Sequence, residues 1–294
     1  MTNFLQNVID AISLGSLFAL LALGVALLYG IMRLINFAHG ELIMIGGYAL
    51  FLFADIPFVV RIALVVGAVV VAALGMERVA FRPVRGASDD TLLVTSFALS
   101  FLLSNIALVV FGSRPRGVRL PGFFSDSVTI GDLRISVLSI LTVCVTIVLV
   151  GGLALMLKRT TIGIQMRAAA EDFNMARLLG VRANRIIAAA FAISGLLAAA
   201  AAFLLVAQSG SVSPLIGLSP VLIAFIATIL GGLGSLPGSV LAAFTLGVLT
   251  VALEALLPVS LRPYRDAFVY GIVFTILLVR PNGLLTVKSA QVRV

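Results

Sequence analysis

Arg33-Leu34-Ile35-Asn36-Phe37-Ala38-His39-Gly40-Glu41 sets an arginine, an amide, an imidazole and a carboxylate between two apolar stretches. Ionisable groups at membrane depth are costly, so they usually face a cavity, a partner or the interface. On a helix, Asn36 and His39 share a face at i,i+3. Asn36, His39 and Glu41 are therefore candidates for lining a translocation pathway; a turn at the lipid interface is the alternative. Catalysis finds less support. His39 is the sole histidine and Cys144 the sole cysteine, which excludes a Cys/His zinc cluster and an intramolecular disulfide. No Ser or Cys nucleophile adjoins His39 in sequence, no Gly-x-Ser-x-Gly occurs, and Cys144 lies in an uncharged stretch where it reads as packing. No metal site is expected.

A second segment, Ile229-Leu230-Gly231-Gly232-Leu233-Gly234-Ser235-Leu236-Pro237-Gly238, interrupts a charge-free stretch with four glycines and a proline. Broken helices can line a cavity with freed backbone groups, so Gly231, Gly232 and Gly234 are also pathway candidates. A tight helical hairpin at the interface is the alternative. The third segment is 158–185, with Lys158, Arg159, Arg167, Arg177, Arg182 and Arg185 against Glu171 and Asp172. Asp172 is placed to cap a short helix over 173–179, and Gly180 to end it in the left-handed conformation. Met175, Leu178 and Leu179 then form an apolar patch, with Asn174 and Arg177 directed elsewhere. Such an element docks on a soluble protein or lies on the membrane surface.

The elements that carry these residues must be membrane helices. Of 294 residues, 61% are apolar and 11% charged, against roughly 25% charged in ordinary globular chains. Mean hydropathy is +1.22. From Ile186 to Leu253 no residue is charged, enough for three spans at roughly 20 residues each. Apolar segments at 8–30, 41–54, 57–76, 91–112, 137–157, 186–208, 220–236, 238–257 and 265–280 predict an all-α polytopic bundle of eight to ten spans, with nine favoured. Without Lys or Arg before the first apolar run, the N-terminal segment reads as a retained helix. No composition shift divides the chain, so 1–294 is expected to be a single transmembrane domain.

Thirteen of the 20 basic residues fall on the side of loops 77–90 and 158–185, seven on the other. The positive-inside rule then predicts an external N-terminus and a cytoplasmic C-terminus. This orienting role also accounts for the +8 net charge, so no nucleic-acid partner is expected. In the external loop 113–136, Val128-Thr129-Ile130 and Leu133-Arg134-Ile135 flank Gly131-Asp132, a two-residue hairpin pattern. Ala188, Ala192, Gly195, Ala199 and Ala202 recur at helical spacing, the small-residue pattern of close helix packing in lipid. Neither lysine, Lys158 or Lys288, follows a glycine, so the Gly-Lys-Ser/Thr end of a phosphate loop is missing. If ATP is used, another chain binds it.

Taken together these segments resemble the permease subunits of bacterial ABC importers for branched-chain amino acids, in particular the smaller of the two permeases. The resemblance rests on Asn36-Phe37-Ala38-His39-Gly40-Glu41 followed by Met44, Gly46, Gly47 and Tyr48; on Arg167-Ala168-Ala169-Ala170-Glu171-Asp172 through Ala176 and Leu178-Leu179-Gly180-Val181; on Leu230 to Gly238; and on Arg280-Pro281-Asn282-Gly283-Leu284-Leu285. It implies a second homologous permease subunit, two cytosolic ATP-binding subunits holding ATP and Mg, and an external or periplasmic substrate-binding protein, in the bacterial inner membrane. No cofactor is implied on this chain. Arg167, Glu171, Asp172, Met175, Ala176, Arg177, Leu178, Leu179 and Gly180 would couple to the ATPase, with Glu171 and Arg177 as polar partners and Met175, Leu178 and Leu179 as the buried patch. Related permeases take urea, amides or other small acids, and the residues do not separate these substrates. The rival of another class is an ion-coupled secondary transporter using Asp10, Glu41 or Glu254.

Overall fold

Apolar length carries most of the chain into helices, which satisfy their own backbone groups where lipid offers no hydrogen bonds. The computed structural model describes residues 2–280, except residue 132, together with Gly283. Its helices are α1 (Thr2–Met32), α2 (His39–Leu52), α3 (Phe58–Met76), α4 (Asp89–Phe111), α5 (Val137–Arg159), α6 (Thr161–Glu171), α7 (Phe173–Leu178), α8 (Ala183–Ser209), α9 (Leu218–Gly231), α10 (Leu236–Leu256) and α11 (Arg265–Val279). Nine of these coincide with the nine apolar segments, with ends displaced by less than two turns. Six helices, α1, α3, α4, α5, α8 and α10, are long and apolar enough to cross a membrane. The other three, α2, α9 and α11, have 14, 14 and 15 residues. The chain is thus an all-helical, multi-pass membrane protein.

Two expectations need correction. Segment 158–185 holds a second helix, α6, before the short α7. Its buried face is Gly163, Met166 and Ala169, too small and mixed to announce itself as an apolar stripe. Thr160 starts it by accepting from the Gly163 amide at 3.0 Å. Cys144, expected in packing, is exposed on the outer face of α5. The hairpin is present as β2 (Ser127–Ile130) paired with β3 (Leu133–Ser136). A further pair, β1 (Arg116–Gly117) with β4 (Ser211–Val212), ties the loop after α4 to the end of α8.

Helix α1 is the axis, packed by α5, α8, α9 and α10. Because lipid tails are as apolar as the side chains, close backbone approach supplies the association energy. A Cβ on Gly15 would stand 2.7 Å from the Phe244 ring, and one on Gly247 would stand 2.5 Å from Gly15 Cα. Across the bundle a Cβ on Gly195 would meet Ala73 at 2.9 Å, joining α8 to α3 in the same way. Helices α3, α4 and α5 present apolar side chains outward, a liability in water and the ordinary surface in lipid. Three threonine hydroxyls are satisfied within their own helix: Thr142, Thr228 and Thr250 each donate to the carbonyl four residues earlier.

The two ends of the bundle differ. Gln6 at the start of α1 donates to the Arg134 carbonyl, so α1 starts at the hairpin end; its last turn reaches the α9–α10 turn, where Gly30 meets Gly234. Arg85, after α3, pairs with Glu77 and donates to Asn184 at the start of α8 at 2.6 Å. Burial lowers the Arg85 pKa below its ordinary value, while arginine keeps its proton throughout the working range. Loops 77–90 and 158–185 therefore share one basic end. By these contacts α1 to α4 and α8 to α11 follow the same order of long, half-length, long and outer helices with every direction reversed. Helices α5 to α7 join the two units. That inversion was not visible in the sequence, because the halves share a packing pattern rather than a string of residues.

Candidate functional site

The half-length helices begin inside the bundle. Helix α2 starts with His39 beside Gly24 and Ser194, both well within α1 and α8, and runs toward the hairpin end. Helix α9 starts after Gly217 and runs toward the basic end. Their N-termini meet: a Cβ on Gly40 would stand 2.6 Å from the Gly217 carbonyl oxygen. Only paired glycines permit this approach of two backbones.

Around this junction polar groups collect. Asn36 and His39 are fully buried and Glu41 nearly so. Asn36 Oδ1 accepts from the Ala38 amide at 3.1 Å, shaping the turn that enters α2. The first amides of α2 close on the 36–38 carbonyls, so this helix end is capped by its own turn. Ser194 Oγ donates to the Gly24 carbonyl at 3.1 Å and lies 3.2 Å from His39 Nδ1. With its one hydrogen committed to Gly24, the serine accepts from Nδ1–H, leaving a lone pair on Nε2. Glu41 Oε1 accepts from Ser100 at 2.8 Å and Ser104 at 3.0 Å, both on α4. Asn36 Nδ2, His39 Nε2 and Glu41 Oε2 are buried without a partner among the described residues. Three unpartnered polar atoms within one six-residue segment are costly, and they make this junction the candidate site.

Sequence reasoning missed the supporting residues. Ser96, Ser100 and Ser104 lie at four-residue spacing, a polar stripe in an uncharged span that was legible; Ser96 also receives the Phe37 amide at 3.3 Å. Gly24 and Ser194 carried no such signal. Gly24 makes room for the imidazole, since a Cβ there would stand 2.6 Å from His39 Cε1. We expect Gly24→Ala to lower stability by about 1–3 kcal/mol through overpacking, read as a fall in melting temperature in detergent.

Gly231, Gly232 and Gly234 are not part of this cluster. Gly231 packs backbone-to-backbone against Gly238, Gly232 and Gly234 have φ of 96° and 87°, and Ser235 caps α10 by accepting from the Gly238 amide. They build the α9–α10 turn at the basic end. Arg61, counted with the basic residues of the external side, is buried in the first turn of α3. It donates to the Arg119 carbonyl at 2.7 Å and to the Leu50 carbonyl, clamping the last turn of α2.

The segment around α7 has the local geometry read from its sequence. Asp172 Oδ1 accepts from the amides of Asn174 and Met175 at 2.9 and 3.0 Å, and Gly180 has φ of 89°. Met175, Leu178 and Leu179 are exposed. Arg167 and Glu171 lie on exposed parts of α6. Ala176, on the same helix, is 3% exposed and packs α7 against the bundle. Among the described residues no three His, Cys, Asp or Glu converge on a metal site. Most of the Arg280–Leu285 segment lies outside the described residues.

A family model for the permease component of branched-chain amino acid transport systems matches residues 7–278. The chain belongs to that family. The permease is 37% identical to the high-affinity branched-chain amino acid transport system permease protein BraD of Pseudomonas aeruginosa, with 96% of each chain covered. It is 36% identical to LivH of Escherichia coli, covering 96% of this chain and 95% of that one. An archaeal relative, the probable branched-chain amino acid transport permease protein LivH of Methanocaldococcus jannaschii, is 27% identical over 93% of the permease.

Proposed function

We propose that the permease forms part of the membrane pathway of an ATP-driven importer for branched-chain amino acids in a bacterial inner membrane. A second homologous permease subunit completes the pathway, two cytosolic subunits bind ATP and Mg, and an external binding protein delivers the substrate. The names of the relatives support the substrate class. The exposed apolar patch on capped α7, at the end of the bundle with most basic residues, supports ATPase docking and is the observation that carries the reading. The chain crosses nine times: 33–38 with α2, and 213–217 with α9, each complete one crossing. The N-terminus is external and the C-terminus cytoplasmic.

Access alternates as nucleotide binding draws the ATPases together and α6 and α7 pass that motion to the bundle. ATPase states shift the bundle only if they bind its two conformations with different affinity. Asn36, His39 and Glu41 line the pathway beside the half-helix junction, and the glycines of the α9–α10 turn let that hairpin follow the coupling element. The polar groups need not form a tight amino-acid site, because recognition rests with the binding protein.

Reconstituted vesicles test this. Labelled leucine should accumulate only when the ATPase subunits, ATP and the binding protein are all present. Accumulation by the permease alone under a proton gradient would overturn the proposal in favour of a secondary transporter. Ligand binding to the delivery protein distinguishes branched-chain amino acids from urea or amides.

A further inference from the structure

Between α1, α8, α9, α10 and α11 lies a cavity of about 200 Å³. Each helix turns one face to it, since the lining residues of each lie three or four positions apart. Leu14 and Phe18 of α1, Ile223 and Ile226 of α9, Leu246 of α10 and Val269 of α11 make an apolar wall.

The rim is polar. Arg265 and Asp266 open α11, Ser219 lies in the first turn of α9, and all three belong to the lining. Arg265 Nη1 donates to Glu254 Oε2 at 2.8 Å, and Nε donates to Asp266 Oδ1 at 3.0 Å. One guanidinium thus serves two carboxylates, and the charge left over is negative. Asp266 Oδ2 takes no part in these bonds. Helix α9 begins without a side-chain cap, so the positive end of a half-length helix meets the rim at Ser219. In transporters such a half-helix start commonly faces the anionic group of a substrate.

An apolar wall under a rim with one negative and one positive side complements a zwitterion with an apolar side chain. The cavity is smaller than the roughly 300–1,000 Å³ of pockets for drug-sized ligands, as suits a molecule of a few carbon atoms. Urea or a simple amide brings no charge for Asp266 and no side chain for the wall. A cationic side chain would be desolvated against Ile226 and Leu246 without a partner. A hollow of about 510 Å³ adjoins the cavity through Leu14 and Arg265 and includes Asn7 and Asp10 of α1, so the rim opens at the hairpin end.

We propose that this cavity is a binding site for a branched-chain amino acid within the permease itself. Asp266 takes the ammonium, Ser219 and the start of α9 take the carboxylate, and Phe18, Ile223 and Val269 take the side chain. The inference rests on the substrate class proposed above and adds where this chain meets that substrate. Its place at the hairpin end lets it receive the amino acid as the delivery protein releases it. The exposed rim screens the charges, so the site holds its ligand weakly and passes it on.

Saturation-transfer NMR of the leucine methyl groups tests this with full-length permease in deuterated detergent, without delivery protein or ATPase subunits. Leucine should bind, and alanine, three carbons shorter, should bind about fiftyfold more weakly. Isocaproate is leucine without its ammonium, and isoamylamine is leucine without its carboxylate. Asp266→Asn should weaken leucine and isoamylamine about tenfold and isocaproate not at all; a merely structural role would weaken all three alike. Ile223→Phe fills the cavity and should abolish binding of each, with the melting temperature reporting an intact bundle. Asp126→Asn removes the same charge at the same end and should change nothing. Equal affinity for leucine and both analogues would make the cavity a plain apolar pocket and overturn the proposal. Leucine binding untouched by both Asp266→Asn and Ile223→Phe would also overturn it. A permease that binds no leucine yet supports ATP-driven leucine uptake overturns this site alone, whereas binding without such uptake overturns the importer and keeps the site.

Discussion

Leu178→Asp with Leu179→Asp should leave the permease folded in the membrane and abolish its association with the ATPase subunits. The two side chains are 82% and 79% exposed, so the isolated permease loses little; surface substitutions of this kind usually fall within about 0.5 kcal/mol. In the proposed complex both leucines are buried. Burying a leucine contributes about 1.5–3 kcal/mol, so two represent roughly two to four orders of magnitude in affinity, before the cost of desolvating two carboxylates. Co-purification should fail, and ATP-dependent uptake with it, while the yield of monodisperse permease stays at the wild-type level. Ala176→Asp gives the contrasting result. Only 3% exposed against the bundle, that position cannot take a carboxylate, and the permease itself should be lost. If the Leu178/Leu179 variant co-purifies normally, α7 is not the docking element, whatever the family suggests.

The second large effect concerns the half-helix junction. Gly40→Ala places a methyl 2.6 Å from the Gly217 carbonyl oxygen, and Gly217→Ala drives one into the Gly40 carbonyl. The obstacle in both cases is backbone, which cannot rotate away as a side chain does. Each substitution should cost about 1–3 kcal/mol or more, and the pair should yield no stable permease. Gly67 and Gly75 in α3 and Gly151 and Gly152 in α5 provide the comparison. A Cβ there meets nothing within 4 Å, and their replacement by alanine should gain about 0.5–1 kcal/mol from backbone entropy. Thermal melting in detergent separates the two groups. Similar melting temperatures for both would mean that α2 and α9 do not meet as described.

Several features were open to reading along the chain because their physical causes are local. The capped α7 needs only Asp172 before it and Gly180 after it, and both behave as their side chains dictate. The β2–β3 hairpin follows from strand-forming residues around a two-residue turn. Helix α6 escaped notice because glycine and alanine make up most of its buried face, leaving little hydrophobic contrast for a periodicity to show. The burial of Arg61 was hidden for the opposite reason: a charge near a span end looks solvated until the carbonyls of Leu50 and Arg119 are found around it.

By itself, the sequence determined that the chain lives in lipid, where its long helices lie, which end carries the basic loops and which short helix presents an apolar patch. Each of these depends on solvent preference or on residues a few positions apart. Only the tertiary structure decided that α2 and α9 start inside the bundle and meet at two glycines. It alone brought Ser100 and Ser104 to Glu41 and Ser194 to His39, and separated the α9–α10 glycines from that cluster. It likewise gathered one face from each of five helices around one cavity. These arrangements depend on inverted packing of distant helices, where glycine sets how near two backbones come. A glycine in the sequence does not say which backbone it will meet.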